Sequence, residues 1–215
     1  MQLLLITALT LSSILTPVPR HQDFFTGDWN TDDAKIVMLR DYMRQTEKEV
    51  GAFDSRCGQF AHIGKVVQTP EHLRPIIEQA LAIHNSRTNV CFFERLPDKV
   101  WSTPGGHVFW EAKTANKLTP NEFLAVLGHE LGHRYAFRVV TWGREEEHFA
   151  DIISAWTMIQ AGRNPLTLHA ALYKLTRKNK GGSTHPGHEE RLQAIQEVVD
   201  RWELRSPRQL PAQAP

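Results

Sequence analysis

TPNEFLAVLGHELGHRYAFRVVTWGREEEHFAD, residues 119–151, is the stretch on which the reading of this chain turns. Thr119, Pro120 and Glu122 form a capping-box signature with proline at the first helical position, so a helix is expected from here past His133 to about Arg138. Gly143 interrupts the pattern, and a second helix is expected from about residue 144 to 161. Inside the first helix stands His129-Glu130-Leu131-Gly132-His133. Residues four apart share one helical face, so both imidazoles can meet a single zinc ion, with Glu130 beside the first of them. The helix is otherwise apolar, and several unpaired polar groups would be expensive to bury there. A metal accounts for them. Zinc lowers the pKa of a bound water to about 7, and Glu130 is placed to take its proton and pass it to a leaving amine.

A catalytic zinc takes three protein ligands and keeps one position open. The pattern H-E-x-x-H-x-x-G-x-x-H does not supply the third, because Ala136 and Val139 stand where glycine and histidine would be. The ligand must come from further on. At about 1.5 Å per residue, the chain leaving His133 and the chain returning after Gly143 roughly cancel, which brings a residue near 147 level with His133. Glu147 is the candidate third ligand, and Asp151, on the same face, is a candidate acceptor for a ligand imidazole. Glu145, Glu146 and His148 compete for the ligand role. Their ordinary reading is an acidic first turn that suits the helix dipole.

Outward from this core, the upstream pattern changes period. Residues 89–96 (NVCFFERL) read as a strand, 100–101 as a short one and 107–112 (HVFWEA) as a third, with a turn at Gly105-Gly106. Together they predict a small three-stranded sheet beside the histidine helix. Helices are expected at 31–50 and, opened by Pro70, at 70–85. Downstream they are expected from Pro165 to about 180 and at 186–204. The fold class is therefore α+β and mostly helical. Residues 3–18 are apolar but short for a membrane span, and suit a secretory leader or an uncleaved anchor over residues 1–19. One domain is expected at 20–204, followed by a disordered, proline-rich tail at 205–215.

The balance of 25 basic and 24 acidic side chains, net +1, gives no electrostatic reason to expect nucleic acid. Cys57 and Cys91 are candidates for one disulfide, with two buried thiols as the alternative, and spacing alone does not choose between them. His107, Trp110 and Trp142 are candidates for lining a cleft, against the ordinary reading of His107 as an exposed strand residue and of the tryptophans as core. His62, His72, His84 and His169 read as ordinary core or surface histidines.

Four segments together resemble the M48 peptidases. HELGH at 129–133 is followed by E-x-x-A-D at 147–151. STPGGHVF at 102–109 is similar to the family's A-x-P-G-G-x-I-F strand, and STHPGHEERL at 183–192 to its S-T-H-P-x-x-E-x-R-I segment. The resemblance implies a zincin-like domain holding one zinc ion per chain, with His129, His133 and Glu147 as ligands and Glu130 as general base. It further implies catalytic roles for His185, on the oxyanion or capping the metal at rest, and for Arg191. It implies a metalloendopeptidase of extended or misfolded polypeptides. The order of a strand and then the HELGH helix, with the T-H-P segment downstream, leads to the expectation that the substrate docks by strand addition along 107–112. The His133-to-Glu147 spacing is short for the membrane-embedded members and their several spans are absent, so a compact, exported relative is expected. Membrane contact would come through the N-terminal segment alone. The rival readings are a cytosolic regulator-cleaving HExxH peptidase and a non-catalytic, zinc-stabilised module that binds unfolded chains.

Overall fold

The capping box forms as its spacing predicts. Glu122 Oε2 accepts the Thr119 N–H at 2.8 Å, and Thr119 Oγ1 accepts the Glu122 N–H at 3.3 Å. Glu122 also meets Lys174 at 2.7 Å, which ties the start of this helix to a later one. In the computed structural model the described residues are 57–103, 106–139, 143–175 and 185–205. The expected leader or anchor at 1–19, the expected helix at 31–50, Trp142 and the tail beyond 205 lie outside them.

A 3₁₀ turn at Cys57–Phe60 leads to strand β1 (Val66–Val67). A second 3₁₀ turn, Glu71–Leu73, runs into helix α1 (Arg74–Ile83). Strands β2 (Val90–Phe93), β3 (Val100–Ser102) and β4 (Val108–Glu111) follow, then a single helical turn α2 (Ala112–Ala115). The rest is helical: α3 (Pro120–Val139), α4 (Arg144–Gln160), α5 (Thr167–Leu175) and α6 (His188–Arg205). The α+β reading holds, with one correction. Among the described residues the sheet has four strands in the order β1-β2-β4-β3, not three. The added strand is two residues long, too short to carry an alternation that a sequence pattern registers.

The register changes where a polypeptide can add. Strand β4, which contains most of the expected docking segment 107–112, is parallel to β2 on one side and antiparallel to β3 on the other. Both its edges are used, so it has no free ladder to offer. Among the described residues, the open edge on this side belongs to β3. The Thr103 N–H reaches His107 O at 2.9 Å and the Glu111 N–H reaches Lys99 O at 2.8 Å. These bonds fix the phase of the β3–β4 ladder, and in that phase the backbone groups of Val100 and Ser102 face outward.

The sheet is covered on both faces, as the unbroken apolar run VCFF suggests. Val90, Phe92, Val108 and Trp110 join the main core with Phe123, Leu124 and Leu127 of α3. Cys91, Phe93 and Phe109 face the other way and form a second cluster with Cys57, against which Phe60, Ile63 and Trp101 pack. Cys57 and Cys91 are joined by a disulfide there. Trp110 takes the core reading over the cleft one: it is fully buried, with its ring 4.7 Å from that of Phe123. Its position on the core face of the central strand β4 leaves it no route to a cleft. His107 packs beside Phe60 at 4.9 Å, on the face of the disulfide cluster.

Helices α3 and α4 pack at unusually close range, and two glycines permit it. A Cβ added at Gly132 would lie 2.8 Å from the Ala150 Cα, and one at Gly128 would lie 3.0 Å from the Thr157 Cβ. The first of these contacts is to backbone, which cannot swing aside. The helices therefore approach along the glycine face of α3, next to the face that carries the two histidines. Gly143, at φ 108°, starts α4 in a conformation that disfavours any residue with a side chain.

Candidate metal centre

The close seam brings the first turns of α4 alongside His129 and His133. The two Nε2 atoms lie 3.1 Å apart, with the rings edge to face. Glu147 completes the group: its Oε2 is 3.4 Å from His129 Nε2 and its Oε1 is 3.6 Å from His133 Nε2. Four ligands about zinc at about 2.1 Å stand about 3.4 Å from one another by tetrahedral geometry. Separations of 3.1, 3.4 and 3.6 Å therefore fit one zinc ion, and the donor set of two imidazoles and one carboxylate suits it. Among the described residues these three are the cluster able to hold a metal.

Behind each imidazole stands a carboxylate. Asp151 Oδ1 accepts from His129 Nδ1 at 2.9 Å, and Glu146 Oε1 from His133 Nδ1 at 2.8 Å. Asp151 is completely buried, and Arg191 grips it through Nε at 2.8 Å and Nη2 at 2.6 Å. A third guanidinium nitrogen lies 3.5 Å from Glu147 Oε2. Burial raises the Asp151 pKa, but Arg191 and the His129 bond outweigh it and hold the carboxyl below its usual range. Glu147 is held down in the same way by His129 and His185. Burial alone would discharge His129, yet Asp151 and Glu147 more than offset it and raise its pKa to about 9. Surroundings that retain a proton so firmly also favour a divalent cation in its place.

The ligand atoms open into a cleft of about 540 Å³. Glu130 and the edge strand β3 line it, and Val126, Leu172 and Leu175 supply its apolar wall. His185 stands at the rim, more than half exposed, with Nδ1 2.9 Å from Glu147 Oε1. Its pKa is raised by that hydrogen bond.

The structure thus gathers His129, Glu130, His133, Glu147, Asp151, His185 and Arg191 at one place. Glu145 and His148, weighed as rival ligands, are exposed on the far side of α4. Arg191 directs Nε and Nη2 onto Asp151, while its Nη1 lies 3.5 Å from Glu147. Sequence reasoning missed Trp101 and the α5 leucines as cleft residues, and saw Glu146 only as a competing ligand. The first two depend on which strand ends the sheet and how α5 docks, and no local period encodes either. The third was within reach, since consecutive acidic residues on one helix point about 100° apart and can serve different atoms of one site.

The model of peptidase family M48 matches residues 100–140, from β3 through the HELGH helix. The matched segment holds both histidines and Glu130 and stops short of Glu147. Comparison with curated proteins and with solved structures finds no significant match.

Proposed function

We propose that this chain, which the model of peptidase family M48 matches over residues 100–140, is a metallopeptidase and more closely a zinc-dependent endopeptidase that cuts extended or misfolded polypeptides. The observation that carries the reading is the fit of His129, His133 and Glu147 to one zinc ion at the floor of an open cleft, with Glu130 beside it. When bound, zinc supplies Lewis acidity, which makes water nucleophilic near neutral pH.

The remaining work falls to the chain. The outward groups of Val100 and Ser102 pair with the backbone of an extended substrate, so recognition asks little of side chains. This moves the docking strand from 107–112, whose edges are taken, to β3. The apolar wall of Val126, Leu172 and Leu175 excludes water from one side of the peptide. Glu130 takes the proton of the attacking water and hands it to the departing amine nitrogen. His185 lines the cleft with Nδ1 2.9 Å from Glu147, which supports a stabilising role on the oxyanion. Arg191 acts at one remove, keeping Asp151 ionised and aligned on His129.

We also propose export. The Cys57–Cys91 disulfide supports it, because such bonds persist in oxidising compartments. Among the described residues no helix is long and apolar enough to cross a membrane.

Glu130→Gln tests the mechanism. The variant is expected to retain one zinc per chain by metal analysis and to lose at least about 100-fold in cleavage of unfolded casein, the lower range for a general base. Unchanged turnover would remove Glu130 from the reaction. A purified chain that carries no stoichiometric zinc would remove the reading altogether.

A further inference from the structure

We infer that Glu146 is a positioning residue for the metal centre: its carboxylate fixes the His133 ring so that Nε2, and not Nδ1, faces the zinc. The inference rests on the zinc-peptidase reading and extends it to a residue outside the three-ligand set.

The geometry is specific. Glu146 and Glu147 are consecutive in the first turn of α4 and reach opposite sides of one imidazole. Glu147 Oε1 lies 3.6 Å from His133 Nε2, whereas Glu146 Oε1 lies 2.8 Å from His133 Nδ1. A carboxylate only accepts, so the hydrogen of a neutral His133 ring sits on Nδ1 and the bare lone pair is left on Nε2. That lone pair points where His129 Nε2 and Glu147 converge. Glu146 is itself buried, at 7% exposure, so the bond is sheltered from competing water.

Comparison with the other ligand sharpens the assignment. His129 has the same arrangement through Asp151, but there Arg191 matches the carboxylate charge. Among the described residues, the ion pairs of Glu146 are with His133 alone. Its charge therefore acts undiluted on one ring, strengthening the imidazole as a donor and adding negative potential at the metal position. The two histidines are thus oriented by different means, one through a buried Asp–Arg pair and one through a lone carboxylate. The double-carboxylate turn Glu146-Glu147 supplies a ligand and an orienter from adjacent positions.

The experiment measures zinc affinity by competition with a chelator for the full chain and for Glu146→Ala and Glu146→Gln. Loss of such an outer partner is expected to weaken zinc about 10- to 100-fold in the alanine variant. Glutamine retains an acceptor oxygen but not the charge, and is expected to recover the part of that loss that comes from ring orientation and so to fall between the parent and alanine. Alanine binding zinc as tightly as the parent would overturn the inference, and so would glutamine falling as far as alanine. A readout on the unaltered protein covers the case of a variant that does not fold. Nitrogen-15 shifts of the zinc-loaded protein are expected to show His133 protonated at Nδ1 and metal-bound at Nε2, and the reverse assignment would overturn it. If the parent chain binds no zinc, the peptidase reading fails first, which is a distinct outcome from a parent that binds zinc regardless of Glu146.

Discussion

The two faces of the sheet are stabilised in opposite ways. On the outer face, Phe60, Phe93, Trp101 and Phe109 gather around the Cys57–Cys91 disulfide, with ring pairs 4.7 to 5.5 Å apart. Cohesion there is apolar area and one covalent link, neither of which demands exact placement of polar atoms. On the inner face, the α3–α4 seam buries His129, His133, Glu146, Glu147, Asp151 and Arg191. Each of these groups is tolerable in the interior only because a partner meets it at hydrogen-bonding range. The first region sets how hard the chain is to unfold. The second sets whether the three metal-ligand candidates meet, which is a matter of placement to within about an ångström.

The comparison breaks cleanly if the two regions can be damaged independently. Replacing both Cys57 and Cys91 by alanine frees the unfolded chain from a 34-residue closure and is expected to lower stability by about 4 kcal/mol. Zinc affinity should stay within about twofold of the parent, because the disulfide contacts the opposite face. Urea unfolding in the presence of a chelator, beside chelator competition for zinc, measures the two quantities. Zinc binding lost together with stability would show that the faces are one cooperative unit.

Gly132→Ala should give the converse result. The new methyl would meet the Ala150 backbone at 2.8 Å, so α3 and α4 must part, at a cost of about 2 kcal/mol. Parting them draws Glu147 away from the imidazoles. The smaller stability loss should therefore bring the larger loss of zinc, and a variant that binds zinc normally would show that the close approach of the helices is not what builds the site.

The smallest effect is expected at the start of α3. Glu122→Gln removes the charge that Lys174 and the Thr119 cap stabilise, a loss of about 1 kcal/mol at neutral pH. Burial pushes the Glu122 pKa up, but Lys174 and Thr119 outweigh it and hold it below the usual value. A depressed carboxyl pKa stabilises the fold above the unfolded value, about 4.3, and the contribution fades as pH falls through the folded value. The parent and variant unfolding curves should thus differ at pH 7 and converge in acid. A constant gap down to pH 2 would assign the effect to packing.

How much was legible beforehand follows the same division. The capping box at Thr119 and Glu122, the pairing of His129 with His133 and the return of a carboxylate near 147 were readable because helical geometry is local: a rise and a period convert spacing into position. β1 was not readable at two residues. Nor was the edge position of β3, because adjacent strands in sequence need not be neighbours in space, and β4 pairs with β2 across the intervening β3. That one fact moves the proposed substrate strand away from 107–112. Topology likewise chose between the two readings of Trp110, since the central strand of a covered sheet exposes neither face.

The amino-acid order by itself determined that two imidazoles and a glutamate share one turn of helix, and that an acidic helix follows close behind. Only tertiary packing decided that Glu147 takes the inner side of His133 and Glu146 the outer, that Arg191 is buried against Asp151, and that β3 carries the open edge. The physical reason is range. Helix period acts over a few residues, whereas the distance between α3 and α4 is set by what touches across the seam, and there it is the missing side chains of Gly128 and Gly132 that let the charges meet.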